Sequence, residues 1–330
     1  MMDWQQKRVL VTGAGGFLGS HLAESLVSRG AKVRALVHYN SRNDWGLLEL
    51  LPPGIKESIE VVAGEITDPF GMTRLVAGCD VVFHLAALIG IPYSYVAPAH
   101  YVAVNVTGTL NLLEAARAQG VEAFIHTSTS ETYGTAAYTP MDERHPLKGQ
   151  SPYSASKIGA DKLVESYHCS FGLPAVTVRP FNAFGPRQSA RAVIPTIITQ
   201  ALTGDTIHLG HTEPRRDFTY ASDTVEGFIQ AAACPRAIGQ VINLGTGQSL
   251  SVGELAQTIA ALVGGDKKIF NDSARLRPEG SEVWHLECDN RRAQEILGWA
   301  PEVDLETGLK RTIDYIRPNL GRYKAGIYNV

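Results

Sequence analysis

Cysteine is scarce in this chain, and what there is lies far apart. Cys79, Cys169, Cys234 and Cys288 are spread over 330 residues and form no C-x-x-C unit. That spacing offers neither a disulfide framework nor a zinc site, and it is the pattern of reduced packing residues in a cytoplasmic protein. No metal-ligating set is expected. Basic runs are missing as well. Lys and Arg number 30 against 33 Asp and Glu, a net charge of −3, which argues against a nucleic-acid surface. The longest apolar run, Val81 to Ile91, is broken by His84 and Gly90 and stops at Pro92, short of the roughly 20 residues a membrane crossing needs. The polar start Asp3-Trp4-Gln5-Gln6-Lys7-Arg8 leads directly into a strand, so no secretory leader is expected. Internal repeats and low-complexity stretches are also absent. What remains has 44% hydrophobic and 19% charged residues, the composition of a globular protein able to bury a core in one large domain or two lobes.

Glycine is plentiful where it matters. Arg8-Val9-Leu10-Val11-Thr12 reads as a strand, Gly13-Ala14-Gly15-Gly16-Phe17-Leu18-Gly19 as a tight turn, and Ser20 to Arg29 as a helix ending at Gly30. Strand, glycine turn and helix form the dinucleotide fingerprint: glycines admit a pyrophosphate close to the backbone, and the helix N-terminus supplies N–H donors. The glycines at 13, 16 and 19 keep a three-residue rhythm rather than strict G-x-G-x-x-G spacing. Lys32–Val37 is a second strand. No acidic residue stands at its end to hold an adenosine 2′-hydroxyl; the chain reads His38-Tyr39-Asn40-Ser41-Arg42 instead. Arg42 with Ser41 suits a 2′-phosphate, whereas Asn40 with Ser41 suits a plain ribose, so NAD and NADP both stay open. A third strand over 60–66 brings Glu65 and Ile66 to flank the adenine. A fourth over 80–87 brings small residues, Ala86 and Ala87, beside the cofactor. His84 reads as a hydrogen-bonded core histidine.

Asn105 begins a helical pattern that ends at Gly120, and Ala123-Phe124-Ile125-His126 is a buried parallel strand. Its C-terminal end carries Thr127-Ser128-Thr129-Ser130-Glu131, where open α/β sheets present their ligands. Ser151-Pro152 is a helix start. Tyr153 and Lys157, four apart, share one face of that helix. An ammonium beside a phenol favours the phenolate, making Tyr153 a candidate base for an alcohol proton. Another strand runs from Leu173 to Arg179, Gln240–Leu244 returns a strand to the same sheet, and Val252–Leu262 is a helix. Repeated βα units with right-handed crossovers predict an α/β fold, a doubly wound parallel (Rossmann) sheet with a smaller C-terminal α/β substrate lobe. The expected division is 1–180, with a returning segment at about 217–247, against 181–330 for most of the lobe. Arg187, Arg191, Arg215, Arg216, Arg275 and Arg277 punctuate that second half. Guanidinium forks suit phosphates, which points to a diphosphate-bearing substrate, with Arg216 and Arg277 the foremost candidates and solvent-facing charge the alternative for the others.

Thr12-Gly13-x-x-Gly16-x-x-Gly19, His84-Leu85-Ala86-Ala87, Ser128-Thr129-Ser130-Glu131, Tyr153-x-x-x-Lys157, Arg179-Pro180-Phe181-Asn182 and Arg216-Asp217-Phe218 together span most of the chain. They resemble the extended short-chain dehydrogenase/reductase family, in its nucleotide-sugar-modifying branch. More narrowly, His38-Tyr39-Asn40-Ser41, Ile91-Pro92-Tyr93-Ser94-Tyr95 and the run from Gly185 to Pro195 are similar to NAD-dependent 4,6-dehydratases of legionaminic-type nonulosonic acid pathways. The resemblance implies a tightly bound, recycled NAD(P)+ held by Gly13, Gly16, Phe17, Leu18, Gly19, His38, Asn40, Ser41, Arg42, Glu65, Ile66, Leu85, Ala86, Ala87, Asn105, Thr127, Tyr153, Lys157 and Pro180. It implies a GDP- or UDP-linked sugar, an N-acetylglucosamine derivative, bound by Tyr93, Asn182, Arg191, Arg216 and Arg277. A cytoplasmic homodimer built on the helices near Asn105 and Pro152 is implied too.

The implied chemistry is a redox cycle. Tyr153, helped by Thr129 and Lys157, deprotonates the C4 hydroxyl while the C4 hydride passes to the nicotinamide. The C4 ketone acidifies the C5 proton, which Glu131 removes; hydroxide leaves C6 and the hydride returns there, giving a 4-keto-6-deoxy sugar. In dTDP-glucose 4,6-dehydratases an aspartate precedes this glutamate and acts as the acid; here the residue is Ser130, a poor acid at neutral pH. GDP-mannose 4,6-dehydratases and UDP-glucuronate decarboxylases also carry Thr-Ser-Glu, so a protonated Glu131 could serve the leaving group, and 4-epimerisation or decarboxylation stays open. A dinucleotide-binding regulator without turnover is the alternative of another class.

Overall fold

Alternation along the strands decides the layering. The computed structural model describes residues 2–324, and its core strands are β1 (Arg8–Thr12), β2 (Lys32–His38), β3 (Glu60–Gly64), β4 (Val81–His84), β5 (Ala123–Thr127) and β6 (Ala175–Pro180). Val9, Val11, Phe83, Ile125, Val176 and Val178 point to one face of the sheet, and Leu10, Val82, Phe124 and Ala175 to the other. Each face is roofed by helices whose apolar stripes complete a core. Helices α1 (Phe17–Ser28) and α4 (Ala221–Ala233) cover the first face through Leu22, Leu26, Phe228 and Ile229. Helices α2 (Gly108–Gln119) and α3 (Pro152–Phe171) cover the second through Leu112, Leu113, Val164 and Tyr167. A sheet buried on both sides needs apolar runs rather than half-polar strands, which is what these segments supply.

After β6 the chain leaves the sheet as β7 (Asn182–Phe184), β8 (Thr206–Leu209) and β9 (Arg215–Tyr220), returns as β10 (Val241–Leu244), and departs again as β11 (Ser249–Ser251) and β12 (Lys268–Asn271). The main sheet has the order β10-β6-β5-β4-β1-β2-β3, with every pairing parallel. This is the doubly wound Rossmann architecture. The returning segment consists of α4 and β10; β9 belongs instead to a three-stranded sheet with β7 and β11. That sheet, with β8 and β12 paired beside it, has its own core of Phe184, Ile194, Ile197, Phe218, Leu255 and Ile313. Residues 325–330 of the expected lobe lie outside the described residues. No helix among the described residues is long and apolar enough to cross a membrane.

Two helix starts differ from the expectation. Helix α1 begins at Phe17 rather than Ser20, because Gly16 in extended conformation serves as its N-cap. Asn105 does not open a helix. It lies within a π-helical turn, Val102–Thr107, that runs from a short helix at Pro98–Tyr101 into α2. Its buried amide accepts from Leu88 N at 2.8 Å and donates to Leu88 O at 3.0 Å and Ser156 Oγ at 2.9 Å. Those bonds give the polar side chain a reason to sit inside.

Candidate active site

Strand order reverses between β1 and β4, and the carboxyl ends of the strands open there into a crevice, the place where such sheets hold ligands. The glycine turn lines it. Gly13 has φ +69°, and a Cβ there would come within 2.8 Å of Ala86 N; a Cβ on Gly19 would come within 2.1 Å of Gly13 O. Side chains at these positions would push the turn off the 85–87 segment and off α1. Gly16 makes no side-chain capping bond, so the first-turn N–H groups of α1, beside Phe17 and Leu18, stay open to an anion. Thr12 Oγ1 fixes the opposite lip by accepting from Leu85 N at 3.2 Å and Ala86 N at 3.1 Å. The side-chain oxygens of Thr127 and Asn182 are buried and have no partner. Open N–H donors and orphaned oxygens at one crevice fit a dinucleotide and its sugar partner.

The far end of the crevice is less uniform. His38 Nε2 and Glu65 Oε2, brought together by the β2–β3 pairing, lie 3.0 Å apart. Ile66 is buried and fills the space that Gly108 leaves on α2. Asn40 donates to His38 O and Asp44 O and accepts from Arg42 N and Asp44 N, so its amide is committed to shaping its own loop. Ser41 and Arg42 are exposed on that loop. Asn105 holds the Leu88 backbone through bonds that use its whole amide, and so shapes the cleft from behind. Pro180 is buried at the end of β6.

Helix α3 starts at a capping box formed by Ser151 and Ser154, with Pro152 in the first turn. Its inner face carries Tyr153, 7% exposed, and Lys157, 3% exposed. Burial acts on the two in opposite senses. It pushes the phenol above its ordinary range, with a nearby Glu131 charge acting in the same sense and a Thr129 hydrogen bond acting against both. It draws the ammonium down to about 8 against the pull of Asp161. Burial is the largest influence on the Tyr153 phenol, and it works against the phenolate that a neighbouring ammonium favours. Across from Tyr153, β5 ends in a short turn of 3₁₀ helix, Ser130–Tyr133, capped by Thr129 Oγ1 accepting from Glu131 N at 3.2 Å. Ser130 is buried and Glu131 half-buried. The Glu131 charge bears on both the Tyr153 phenol and the Arg216 guanidinium, so a carboxylate, a phenol and a buried arginine share one space.

The arginines separate into two groups. Arg216 is 7% exposed and shares Glu282 with Arg277, at 3.3 Å and 3.5 Å; Arg277 Nη1 is buried without a hydrogen-bond partner. Arg191 is exposed, and its charge acts on Tyr101. Tyr101 links Tyr93 to Tyr153 through ring contacts at 6.1 and 6.3 Å. Arg187 is placed elsewhere: it is buried against Glu24 and His21 of α1, at 2.6 Å from each, and so ties the loop after β7 to the Rossmann half. Arg215 pairs with Glu254 and Arg275 with Asp272. His84 is a core histidine, bonded to Thr12 at 2.9 Å and Thr109 at 3.0 Å. Sequence reasoning missed Asp161, one turn beyond Lys157 on α3, which accepts from Ser128 Oγ at 2.7 Å and Arg179 Nη2 at 2.8 Å. The spacing Tyr153-x-x-x-Lys157-x-x-x-Asp161 was its available signal.

A glycine cradle facing a buried Tyr–Lys helix defines a dinucleotide-dependent enzyme of the short-chain dehydrogenase type. The family model described as GDP-mannose 4,6 dehydratase matches residues 10–312, and the chain belongs to this family of nucleotide-sugar dehydratases and epimerases. It is 35% identical to a UDP-glucose 4-epimerase of Mycolicibacterium smegmatis, over 94% of this chain and 98% of that protein. Against a mouse dTDP-D-glucose 4,6-dehydratase it is 33% identical, over 96% and 91%. Against a UDP-N-acetyl-alpha-D-glucosaminuronate decarboxylase of Bacillus cytotoxicus it is 35% identical, over 94% and 98%. Among solved structures, an epimerase of Methanothermobacter thermautotrophicus superposes with a TM-score of 0.88 at 31% identity, covering 97% of this chain and 94% of its own. A dTDP-glucose 4,6-dehydratase of Streptomyces venezuelae, solved with NAD, superposes at 0.84 with 28% identity, covering 96% and 99%.

Proposed function

We propose that this protein is a nucleotide-diphosphosugar 4,6-dehydratase acting on a GDP- or UDP-linked N-acetylglucosamine. The observation that carries the reading is Glu131: a half-buried carboxylate whose charge reaches Tyr153 and Arg216 stands beside the group that handles the C4 proton. A 4-epimerase has no use for a second base there. NAD(P)+ is the cofactor; when bound, it supplies the oxidation at C4, its reversal at C6, and a positive charge that favours a phenolate. The residues that would hold it are Gly13, Gly16, Gly19, the first turn of α1, Thr127 and the 85–87 segment.

The chain's own residues then divide the work. Tyr153 takes the C4 hydroxyl proton with Thr129 hydrogen-bonded to it. Lys157 holds positive charge behind the phenol. Glu131 takes the C5 proton once C4 is a ketone, and in its protonated form gives that proton to the departing C6 oxygen, so that water leaves; C5 then takes up a proton from solvent and Tyr153 releases one, which closes the 4-keto-6-deoxy product. Ser130, buried and without acidity at neutral pH, is left to shape the turn. Arg216 and Arg277 receive the diphosphate, with Arg191, Asn182 and Tyr93 at the sugar's edge. The similarity of Ile91–Tyr95 and Gly185–Pro195 to the legionaminic-type enzymes supports the N-acetylglucosamine substrate. A homodimer through α2 and α3 belongs to the same reading, and Val102, 53% exposed just before α2, supports it.

Incubation with GDP- and UDP-N-acetylglucosamine in D2O tests the reading. A product lighter by one water, with deuterium at C5, is expected. Glu131→Gln should leave reduced cofactor trapped on the enzyme and yield little deoxy sugar. Epimerised product without C5 label, or CO2 release from a nucleotide-linked uronate, would replace the dehydratase with one of its relatives' reactions.

A further inference from the structure

Beneath the site lies a buried charge network that the proposed chemistry does not itself use. Asp161, 4% exposed, accepts from groups on two strands: Ser128 Oγ at 2.7 Å and His126 Nε2 at 3.1 Å from β5 and its end, and Arg179 Nε and Nη2 at 3.2 and 2.8 Å from β6. Arg179 continues to Tyr133 at 3.0 Å, and Tyr133 to Asn243 of β10 at 2.8 Å. On its own helix Asp161 stands one turn after Lys157 and two after Tyr153, on the same face. A buried carboxylate with this many donors is costly to assemble unless its neighbours need it.

Two buried cations, Lys157 and Arg179, face this one carboxylate. The other groups around Lys157 bring no negative charge. His84 of β4 and His126 of β5 are both held neutral by burial, and Tyr153 is a protonated phenol. Asp161 is also bonded to Ser128, the residue next to Thr129 in the turn that presents Glu131. We propose that Asp161 is the positioning residue of this site: it fastens the helix carrying Tyr153 and Lys157 to the strand end carrying Thr129 and Glu131, and supplies the negative charge that keeps Lys157 an ammonium. The inference rests on reading Tyr153 and Lys157 as the acid–base pair.

The test follows Lys157 directly by NMR of lysine-labelled protein, with the resonance assigned by its loss in Lys157→Met. In Asp161→Asn the midpoint of the Lys157 titration is expected to fall by about one pH unit or more. The alkaline limb of kcat should move down with it. Because a midpoint lower by one pH unit leaves about a tenth as much ammonium on the alkaline side, activity at pH 8.5 should be about tenfold below wild type and recover as the pH is lowered. Asp161→Glu, which keeps the carboxylate, should restore most of the titration. Arg179→Gln provides a second measurement should Asp161→Asn fail to fold: with the competing cation gone, Lys157 should titrate higher. A lysine titration unmoved in folded Asp161→Asn, or in Arg179→Gln, overturns the proposal, even where melting temperature drops. A titration that moves while the rate profile stays put supports Asp161's hold on Lys157 and removes Lys157 from the acid–base pair.

Discussion

Lys157 is held where an ammonium does not want to be. Only 3% of it is exposed, and burial brings its titration to about 8 from an ordinary lysine value of 10.5. The unfolded chain keeps this proton up to the ordinary value, while the folded chain gives it up near 8. Between those two pH values the unfolded state binds more protons, so this residue's contribution to stability rises with pH there. Below about 8 it is a constant penalty. Lys157→Met removes the desolvated charge and retains the methylene packing, so the variant should be more stable at neutral pH by about 1–3 kcal/mol and lack turnover. Denaturant unfolding of both proteins from pH 7 to 10 checks this: the gap should close as the pH climbs through the lysine's range. A variant less stable than wild type at pH 7 would mean that the ammonium contributes net attraction to Asp161, in spite of its burial.

At the scale of elements, the tightest joint is between the glycine turn and α1. A Cβ on Gly19 would lie 2.1 Å from Gly13 O, a backbone atom that cannot swing aside. Gly19→Ala therefore has to move the first turn of α1 away from the strand end and misdirect its N–H groups. Dinucleotide affinity should fall at least about tenfold, or about 1.4 kcal/mol, as read by fluorescence titration of the stripped protein with NADH, while far-ultraviolet dichroism stays that of a folded α/β protein. This joint was legible in the sequence because it is local: strand, glycines and helix lie within a few residues of one another. The same is true of β1 to β6, whose doubly apolar runs announce a sheet buried on both faces, and of Ser151-Pro152 opening α3. Local signals also mislead in small ways. Gly16 caps α1 four residues before the apolar spacing begins at Ser20, and Asn105 looked like a helix start because its polar side chain gives no hint of a buried bond to Leu88. The arginines show the larger gap. Arg187 and Arg216 look alike in sequence, yet one meets Glu24 across the chain and the other meets Glu282. Pairings made by tertiary folding leave no periodicity to read, and Asp161 escaped for that reason even though its spacing from Lys157 was in plain view.

At the scale of the whole molecule, polar ties join the smaller lobe to the Rossmann half on both sides of the candidate site. Arg187 joins the lobe to α1 on one side. On the other, Tyr95 OH meets Ser281 Oγ at 2.6 Å, and Gln150 Nε2 donates to Gly280 O and Glu282 O at 3.2 and 3.1 Å. The second set of ties bears directly on the proposed substrate, because it positions Glu282, the carboxylate that Arg216 and Arg277 share. A diphosphate arriving at those guanidiniums competes with Glu282, and the 279–282 turn has to yield or hold accordingly. Tyr95→Phe deletes one tie with almost no change in shape, a loss of about 0.5–1.5 kcal/mol for a single hydrogen bond. If the tie preorganises the turn for substrate, KM for the nucleotide sugar should rise about two- to tenfold with kcat little changed, the signature of lost uniform binding. Amide exchange at 279–282 should quicken in the free variant and return towards the wild-type rate when substrate is bound. An unchanged KM with unchanged exchange would mean that Gln150, with Thr135 and Arg216 on Glu282, holds the turn without Tyr95, which then only packs beside it.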